Sequence, residues 1–96
     1  MSAYFIAEIE VTDAAEFERY RPLAAASIAR HGGRYVVRGG KADLIEGGPE
    51  PKRIVILEFA DAAAARRWYQ SVDYQAALKI RLASANGRAF IVEGAG

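Results

Sequence analysis

The chain has 96 residues, 52% hydrophobic and 26% charged, with a formal net charge of +1, which is typical of one globular domain and excludes a general electrostatic attraction to nucleic acid or to an anionic membrane. It contains no cysteine, so disulfides, thiolate metal sites and cysteine nucleophiles are excluded. No apolar run approaches the roughly 20 residues that span a bilayer, and no basic region followed by an apolar one opens the sequence, so we expect a single cytoplasmic domain.

The first predicted unit is a strand followed by a capped helix. Tyr4–Val11 has apolar residues at every odd position, which is the alternation of a strand with one buried face. Asp13 and Glu16 form a capping box, and the helix is expected to end near Arg30, before a glycine pair that supplies a left-handed cap. Pro22 lies inside this helix, so we expect a kink or a break there.

A second strand and a long connection come next. Arg34–Arg38 is predicted as a strand whose odd and even positions point to opposite faces. Residues 39–51 contain four glycines and two prolines, which is too long a connection for a tight hairpin. Its glycine pairs match no nucleotide-binding fingerprint and are interpreted as hinges. Part of it, Asp43–Glu46, is expected to extend the strand as an arm.

The second half of the chain repeats this order. Asp61 and Ser71 are predicted to cap two successive helices, and Asn86-Gly87 is predicted to form a turn. The predicted elements are a strand over Arg53–Phe59, a helix from Ala62 to about Gln70, a helix from Tyr74 to about Ser84 and a strand over Arg88–Glu93.

This βαββαβ order predicts an α+β, ferredoxin-like fold, with a four-stranded antiparallel sheet in the order 4-1-3-2 and the helices on one face. The face expected under the helices is wholly apolar: Phe5, Ala7, Ile9, Val11, Tyr35, Val37, Val55, Leu57, Phe59, Phe90 and Val92. The other face has an apolar centre and charges: Tyr4, Ile6, Glu8, Arg34, Val36, Arg38, Ile54, Ile56, Glu58, Ile91 and Glu93.

The second face would expose a large apolar patch if it stayed bare, and such patches mark interfaces or ligand grooves. A second copy, related by a two-fold axis, is the simplest cover. We therefore expect a homodimer built as a dimeric α/β barrel, with a cavity between the sheet and the partner.

Several short motifs occur in a characteristic order. They are His31-Gly-Gly-Arg-Tyr35, Arg38-Gly-Gly40, Glu46-Gly47, Ile56-Leu-Glu-Phe59, Trp68-Tyr69, Ser71 with Tyr74, and Arg81. On these landmarks nearly the whole chain resembles the domain-of-unknown-function family 1330, small bacterial proteins with the dimeric α/β-barrel fold. The resemblance implies the fold and a homodimer, but no reaction. Proteins that share the fold include cofactor-independent monooxygenases, lactone isomerases and haem enzymes, and fold alone does not determine function.

Charged residues on the mixed face are the first candidates for a site. Glu8 and Arg38 are expected at one end of the sheet, and Glu58 and Glu93 at the other. Facing a partly dry cavity, Glu58 or Glu8 would serve as a base and Arg38 as an anion clamp. The alternative interpretation is an ion-pair network that fixes the register of the dimer.

His31 is the only histidine. It is a candidate general base, but its position at a helix end favours a role in complementing the helix dipole. One histidine excludes a metal site made of imidazoles and supports a haem ligand only weakly. Trp68 and Tyr74 are predicted as core residues or as a pocket wall, and Arg81 is singled out by the resemblance.

Three hypotheses follow. The first is a homodimer that binds a small ligand, without a cofactor or a metal, and with neither nucleic acid nor membrane as a partner. The second is a cofactor-independent enzyme, similar to a monooxygenase or an isomerase, acting on an aromatic or lactone-like metabolite. The third is a structural interaction module.

Overall fold

A computed structural model describes residues 1–96. The elements are β1 (Ala3–Val11), α1 (Ala14–Arg30), β2 (Arg34–Arg38), β3 (Arg53–Phe59), α2 (Ala62–Gln70), α3 (Val72–Ser84) and β4 (Ala85–Glu93). The strands form one antiparallel sheet in the order β2-β3-β1-β4, which confirms the predicted ferredoxin-like α+β topology. A continuous core lies between the sheet and the three helices. None of the helices is both long and apolar enough to cross a membrane.

Helix α1 begins and ends as its sequence predicts. The Asp13 side chain accepts a hydrogen bond from the Glu16 N–H at 3.2 Å, and Gly32 adopts a φ of 77° beyond the last turn. The N–H groups of Gly32 and Gly33 return to the carbonyls of residues 29 and 28, which is a Schellman motif. Pro22 lies inside a helix that runs without interruption, so the predicted break is wrong; proline removes one hydrogen bond, and the rest of the helix is held by the core.

Ser71 separates α2 from α3 and serves both helices. Its hydroxyl donates to the Trp68 carbonyl at 2.6 Å and accepts from the Tyr74 N–H at 3.3 Å. The predicted cap is confirmed, although α3 begins at Val72, two residues earlier than predicted. This junction holds Trp68 and Tyr74 against each other, with ring centroids 4.1 Å apart.

Strand β4 differs from its prediction in both start and phase. It begins at Ala85, and Asn86 and Gly87 pair with β1 instead of forming a turn. Ile91 pairs with Phe5 and packs against the core, so Phe90 and Val92 lie on the outer face, where they are 43% and 44% exposed. The predicted faces of this strand are therefore reversed. The run from Ala89 to Val92 is apolar at every position, so alternation could not show which residues point inward.

The reversal also moves Glu93. It pairs with Ala3 in the row that faces the helices, whereas Glu58 pairs with Tyr4 in the outer row. The two carboxylates, which were predicted to share a face, lie on opposite sides of the same end of the sheet.

A β-bulge in β2 reverses a second prediction. Tyr35 pairs with Leu57 but Val37 pairs with Ile56, so one extra residue is inserted between them. Val37 therefore lies in the outer row, and Arg38 pairs with Val55 in the row that faces the helices. The expectation that Arg38 shares a face with Glu8 is wrong, because a bulge shifts the side-chain alternation by one residue.

The long connection between β2 and β3 contains no regular secondary structure. The arm predicted at Asp43–Glu46 is therefore wrong. Gly39, at its start, has a φ of 74° and its N–H donates to the Ile54 carbonyl at 2.8 Å. A left-handed residue there turns the chain away from β3 directly after the bulge.

Candidate functional site

An apolar pocket lies within the single chain, between the helices and the sheet. It has about 490 Å³ of empty space, counting the part open to solvent. Its lining consists of Phe5, Ala7, Ile9, Phe17, Tyr20, Arg21, Ile28, Tyr35, Arg38, Arg53, Val55, Leu57, Trp68 and Arg81. This pocket is on the opposite side of the sheet from the cavity that the sequence indicated, and the cavity against a partner stays a prediction.

Arginines are the only charged residues in this lining. Arg38, Arg53 and Arg81 form no ion pair, and Arg21 has one carboxylate nearby, with its Nε 3.4 Å from an oxygen of Glu18. The Nε atoms of Arg21 and Arg53 are buried and have no hydrogen-bond partner. The geometry with Glu18 is thus an electrostatic contact rather than a hydrogen bond.

Three of these arginines affect one another. Burial lowers the pKa of Arg53, and the neighbouring charges of Arg21 and Arg38 lower it further, while Glu18 acts in the opposite direction. Like charges brought together beside an apolar wall repel each other, and an anion placed among them would relieve the repulsion. These guanidinium groups give the pocket a local positive charge.

Backbone geometry and aromatic rings position these side chains. The bulge turns Arg38 inward, where its guanidinium carbon lies 4.2 Å from the centroid of the Tyr35 ring. The guanidinium carbons of Arg21 and Arg53 lie 5.7 and 5.8 Å from the centroid of the Phe17 ring. Cation–π contacts of this kind hold a guanidinium while leaving its N–H groups available to a ligand.

Gly39 makes room for the Arg53 guanidinium. A Cβ at this position would lie 2.7 Å from the central carbon of that group. The positive φ at this site favours glycine, and a side chain there would displace the end of the flexible Arg53 side chain.

Aromatic residues form the interior of the site. Trp68 is completely buried, and its indole N–H donates to the Ser27 hydroxyl at 3.1 Å. The hydroxyls of Tyr20 and Tyr74 lie 2.7 Å apart in a hydrogen bond. Burial is the main cause that raises the pKa of both tyrosines, so both are neutral at physiological pH. Tyr35, at the pocket wall, also has a pKa raised by burial, against the charge of Arg38.

The predicted carboxylates lie outside this pocket. Glu58 is on the outer face, paired with Arg34 at 2.5 Å and 3.4 Å from the Tyr4 hydroxyl. Hydrogen bonds from Ser2, Arg34 and Tyr4 lower the pKa of Glu58, which opposes a role as a proton acceptor near neutral pH. Glu8, also on the outer face, accepts a hydrogen bond from the backbone N–H of Lys52 at 3.0 Å. It lies opposite Arg88 in the register of β1 and β4, without an ion pair between the two side chains.

His31 occupies the end of α1, as its sequence position predicts. Its Nδ1 is 2.9 Å from the Ser27 carbonyl oxygen and 3.9 Å from a carboxylate oxygen of Asp73, which also pairs with Arg30. It does not line the pocket. No group of three or more metal-ligating side chains comes together in the structure.

The structure thus divides the candidate residues into two sets. Arg38, Trp68 and Arg81 line the pocket, and Tyr74 contacts the pocket wall through Tyr20 and Trp68. Glu8, Glu58 and His31 lie elsewhere and meet neither one another nor the pocket. Among the polar and charged residues of the lining, those not predicted as site residues are Tyr20, Arg21, Tyr35 and Arg53. Arg53 could have been found, because it precedes Val55 and Leu57 at the same alternation on β3.

The family described as "Domain of unknown function (DUF1330)" matches residues 2–95 of the chain. No curated protein matches the sequence of this chain detectably. The likeness to the family therefore extends over nearly the whole domain and carries no assigned activity.

Solved structures with similar folds have low sequence identity. The RPA0582 protein of unknown function from Rhodopseudomonas palustris superposes with a TM-score of 0.80 at 18% identity, over 99% of this chain and 83% of its own. SnoaB from Streptomyces nogalater, a cofactor-independent oxygenase, superposes with a TM-score of 0.72 at 20% identity, over 99% and 94%. A dimeric protein of unknown function and ferredoxin-like fold from Bacteroides fragilis superposes with a TM-score of 0.66 at 11% identity, over 97% and 96%. These likenesses establish a shared fold.

Proposed function

This chain belongs to the DUF1330 family, and for this member of it we propose a small homodimeric protein that binds a small aromatic anion in the pocket between its helices and its sheet. The pocket combines a wall of aromatic and aliphatic side chains with four arginines. An aromatic ring would occupy the apolar part, while a carboxylate or phenolate would face the guanidinium groups.

The single observation that carries the proposal is the lack of a carboxylate ion pair for three of these arginines, Arg38, Arg53 and Arg81. Buried or partly buried arginines are normally paired, because removing a charge from water is costly. Arg53 is partly buried and its Nε has no acceptor. Arg38 is exposed, but it lines the same pocket, and no acidic side chain belongs to that lining. A bound anion supplies the missing acceptor and lowers the repulsion among the guanidinium groups.

The size of the pocket restricts the ligand. The pocket has about 490 Å³ of empty space when the part open to solvent is counted, which is in the lower half of the range for small-molecule sites. It is therefore suited to a single-ring compound rather than to a fused polycyclic one.

Dimerisation would occur through the outer face of the sheet. Val36, Phe90 and Val92 are 43–46% exposed there, and Ile6, Ile54 and Ile56 are half-buried between them. Apolar faces of this kind are normally covered by a partner, and the related Bacteroides protein is described as dimeric. Analytical ultracentrifugation tests this: wild type should sediment as a dimer and Ile56→Lys as a monomer, and a wild-type monomer at micromolar concentration would contradict it.

Benzoate and benzamide test the anion site, because they differ in charge but hardly in shape. We expect benzoate to bind wild type about tenfold or more tightly than benzamide, since charge-assisted hydrogen bonds are worth roughly 1.5–3 kcal/mol. Isothermal titration calorimetry measures both constants. Arg53→Gln should reduce this preference strongly, whereas Arg88→Gln, an equal charge change on the outer face, should leave it intact. Equal binding of benzoate and benzamide, or no binding of either, would overturn the proposal.

A second candidate is cofactor-independent oxygenation of a phenolic ligand. The arginine cluster favours it, because nearby positive charge lowers the pKa of a bound phenol and so produces the electron-rich phenolate. Oxygen-electrode measurements with hydroquinone and dihydroxybenzoates test it. Uptake that requires wild-type protein and falls in Arg53→Gln would support it, and uptake equal to the protein-free rate would exclude it for these compounds.

A further inference from the structure

We propose that Tyr20 is the hydrogen-bond donor that determines specificity inside this pocket, selecting aromatic anions that carry a second, uncharged oxygen acceptor such as a ring carbonyl. This inference rests on the proposed function, because it concerns the other end of the same ligand. It follows from the number of hydrogen-bond donors and acceptors in the interior of the site.

The Tyr20 and Tyr74 hydroxyls form one hydrogen bond, 2.7 Å long, in which either oxygen could be the donor. Each hydroxyl has one hydrogen to donate. One hydrogen is used between the two oxygens, and no carbonyl or carboxylate of the protein accepts from either hydroxyl. One of the two O–H groups therefore has no acceptor within the protein.

The surroundings of the two rings decide which O–H group this is. Tyr74 is completely buried, with its ring packed against Trp68, Tyr69 and Tyr20. It does not line the pocket, whereas Tyr20 does. A free hydrogen on Tyr74 would be sealed in the core without an acceptor, which is costly. Tyr74 therefore donates to Tyr20, and the free hydrogen belongs to Tyr20, where a molecule in the pocket can accept it.

The charge of Arg81 favours Tyr20 as a donor to a ligand. Arg81, also in the pocket lining, acts to lower the pKa of both hydroxyls. Donation from Tyr74 and the charge of Arg81 both polarise the Tyr20 O–H bond and strengthen it as a donor.

The matching ligand has two recognition groups. A carboxylate or phenolate faces the arginines, and an uncharged carbonyl or ether oxygen on the same ring accepts from Tyr20. A hydrophobic group of the same shape would leave the Tyr20 hydrogen without an acceptor. Keto- and acyl-substituted aromatic acids are therefore preferred over their alkyl analogues.

Acetylbenzoates and isopropylbenzoates separate this preference from the anion site. Each pair has the same charge and nearly the same shape, but only the acetyl group accepts a hydrogen bond. The 3- and 4-isomers are both titrated calorimetrically, with benzoate alongside. We expect the better acetyl isomer to bind wild type about five- to tenfold more tightly than its isopropyl analogue, the effect of one neutral hydrogen bond.

Two conservative variants locate the donor. Tyr20→Phe keeps the ring and its apolar contacts but removes the hydroxyl, so it should bring the acetyl-to-isopropyl ratio close to one. Tyr74→Phe leaves the Tyr20 hydroxyl in place and should keep the ratio well above one.

A ratio near one in wild type overturns the inference, even if either variant fails to fold. A ratio that persists in Tyr20→Phe, or that is lost only in Tyr74→Phe, also overturns it. In all three cases benzoate still binds, so the proposed function stands. If benzoate itself does not bind, the proposed function fails, and the inference fails with it.

Discussion

The two faces of the sheet differ in whether their charged side chains form ion pairs. On the outer face, Arg34 pairs with Glu58 and Lys52 pairs with Glu10 at 3.3 Å. On the helix side, Arg38 and Arg53 lie in an apolar pocket without a carboxylate partner in its lining. The outer face thus holds ion pairs within the chain, whereas the helix side holds the unpaired arginines on which the proposed ligand site depends.

Arg34 and Arg38 make the contrast within a single five-residue strand. They have the same chemistry and would share a face in a regular strand, but the bulge between them sends one to each side. Residue type alone therefore says little about function. What distinguishes the two arginines is whether the fold provides an anion for each.

Trp68→Ala, on the helix side of the sheet, should cause the largest loss of stability. Trp68 is completely buried and packs on Phe5, Phe59 and Tyr74, so its truncation should reduce the free energy of unfolding by about 3–5 kcal/mol. Urea denaturation followed by circular dichroism measures the loss. The loss should be independent of protein concentration, because the cavity lies within one chain.

Phe90→Ala is the matched variant on the outer face, where Phe90 is 43% exposed. Within one chain it should cost less than about 1 kcal/mol, and any further loss should grow with protein concentration as the dimer is weakened. Equal, concentration-independent losses from the two variants would contradict the view that one face is the core and the other an interface.

Gly39→Ala should have the next largest effect. Placing alanine at a φ of 74° costs about 1–2 kcal/mol, and the new Cβ would also displace the Arg53 guanidinium. Gly47→Ala is the control, because Gly47 has a φ of 76° and a Cβ added there would have open space for 4 Å around it. Only Gly39→Ala should also weaken benzoate binding, measured by calorimetry. Equal losses of both stability and affinity in the two variants would show that Gly39 does not position Arg53.

The sequence predicts the strand order and the bounds of β2 and β3, because propensity, caps and alternation agree in those segments. It predicts the pocket only in part, because the pocket depends on which side chains of β2 and β4 point toward the helices, and both alternations differ from the prediction. The bulge at Val36 adds one residue against β3, and nothing local in Arg34–Arg38 marks it. The phase of β4 is set by pairing with β1 from Ala85 onward, a long-range constraint that an apolar run on both faces conceals.

Neutralising one arginine on each face should change the free energy of unfolding by smaller amounts and in opposite directions. Arg34→Gln leaves Glu58 without its cation and should lower the free energy of unfolding slightly, because solvent screens an exposed pair. Arg53→Gln removes repulsion with Arg21 and Arg38 and should raise it by up to about 0.5 kcal/mol in the absence of ligand. Thermal denaturation at low ionic strength measures both, and added salt should shrink both effects. A clear loss of stability in ligand-free Arg53→Gln would contradict the view that this arginine is poised for an external anion.

The smallest expected effect is a shift in the pH of acid unfolding when the Arg34–Glu58 ion pair is broken. Hydrogen bonds lower the pKa of Glu58 below its ordinary value of 4.5 in the folded chain. Its contribution to stability is therefore complete above pH 4.5 and is lost as the pH falls through the lower, folded-state pKa. Arg34→Gln removes one of these donors, so its acid-unfolding midpoint should rise by a fraction of a pH unit relative to wild type. Arg88→Gln carries the same charge change at a residue that has no contact with Glu58 and should not reproduce the shift; equal shifts in both variants would show that net charge, not the Arg34–Glu58 pair, sets the acid limit.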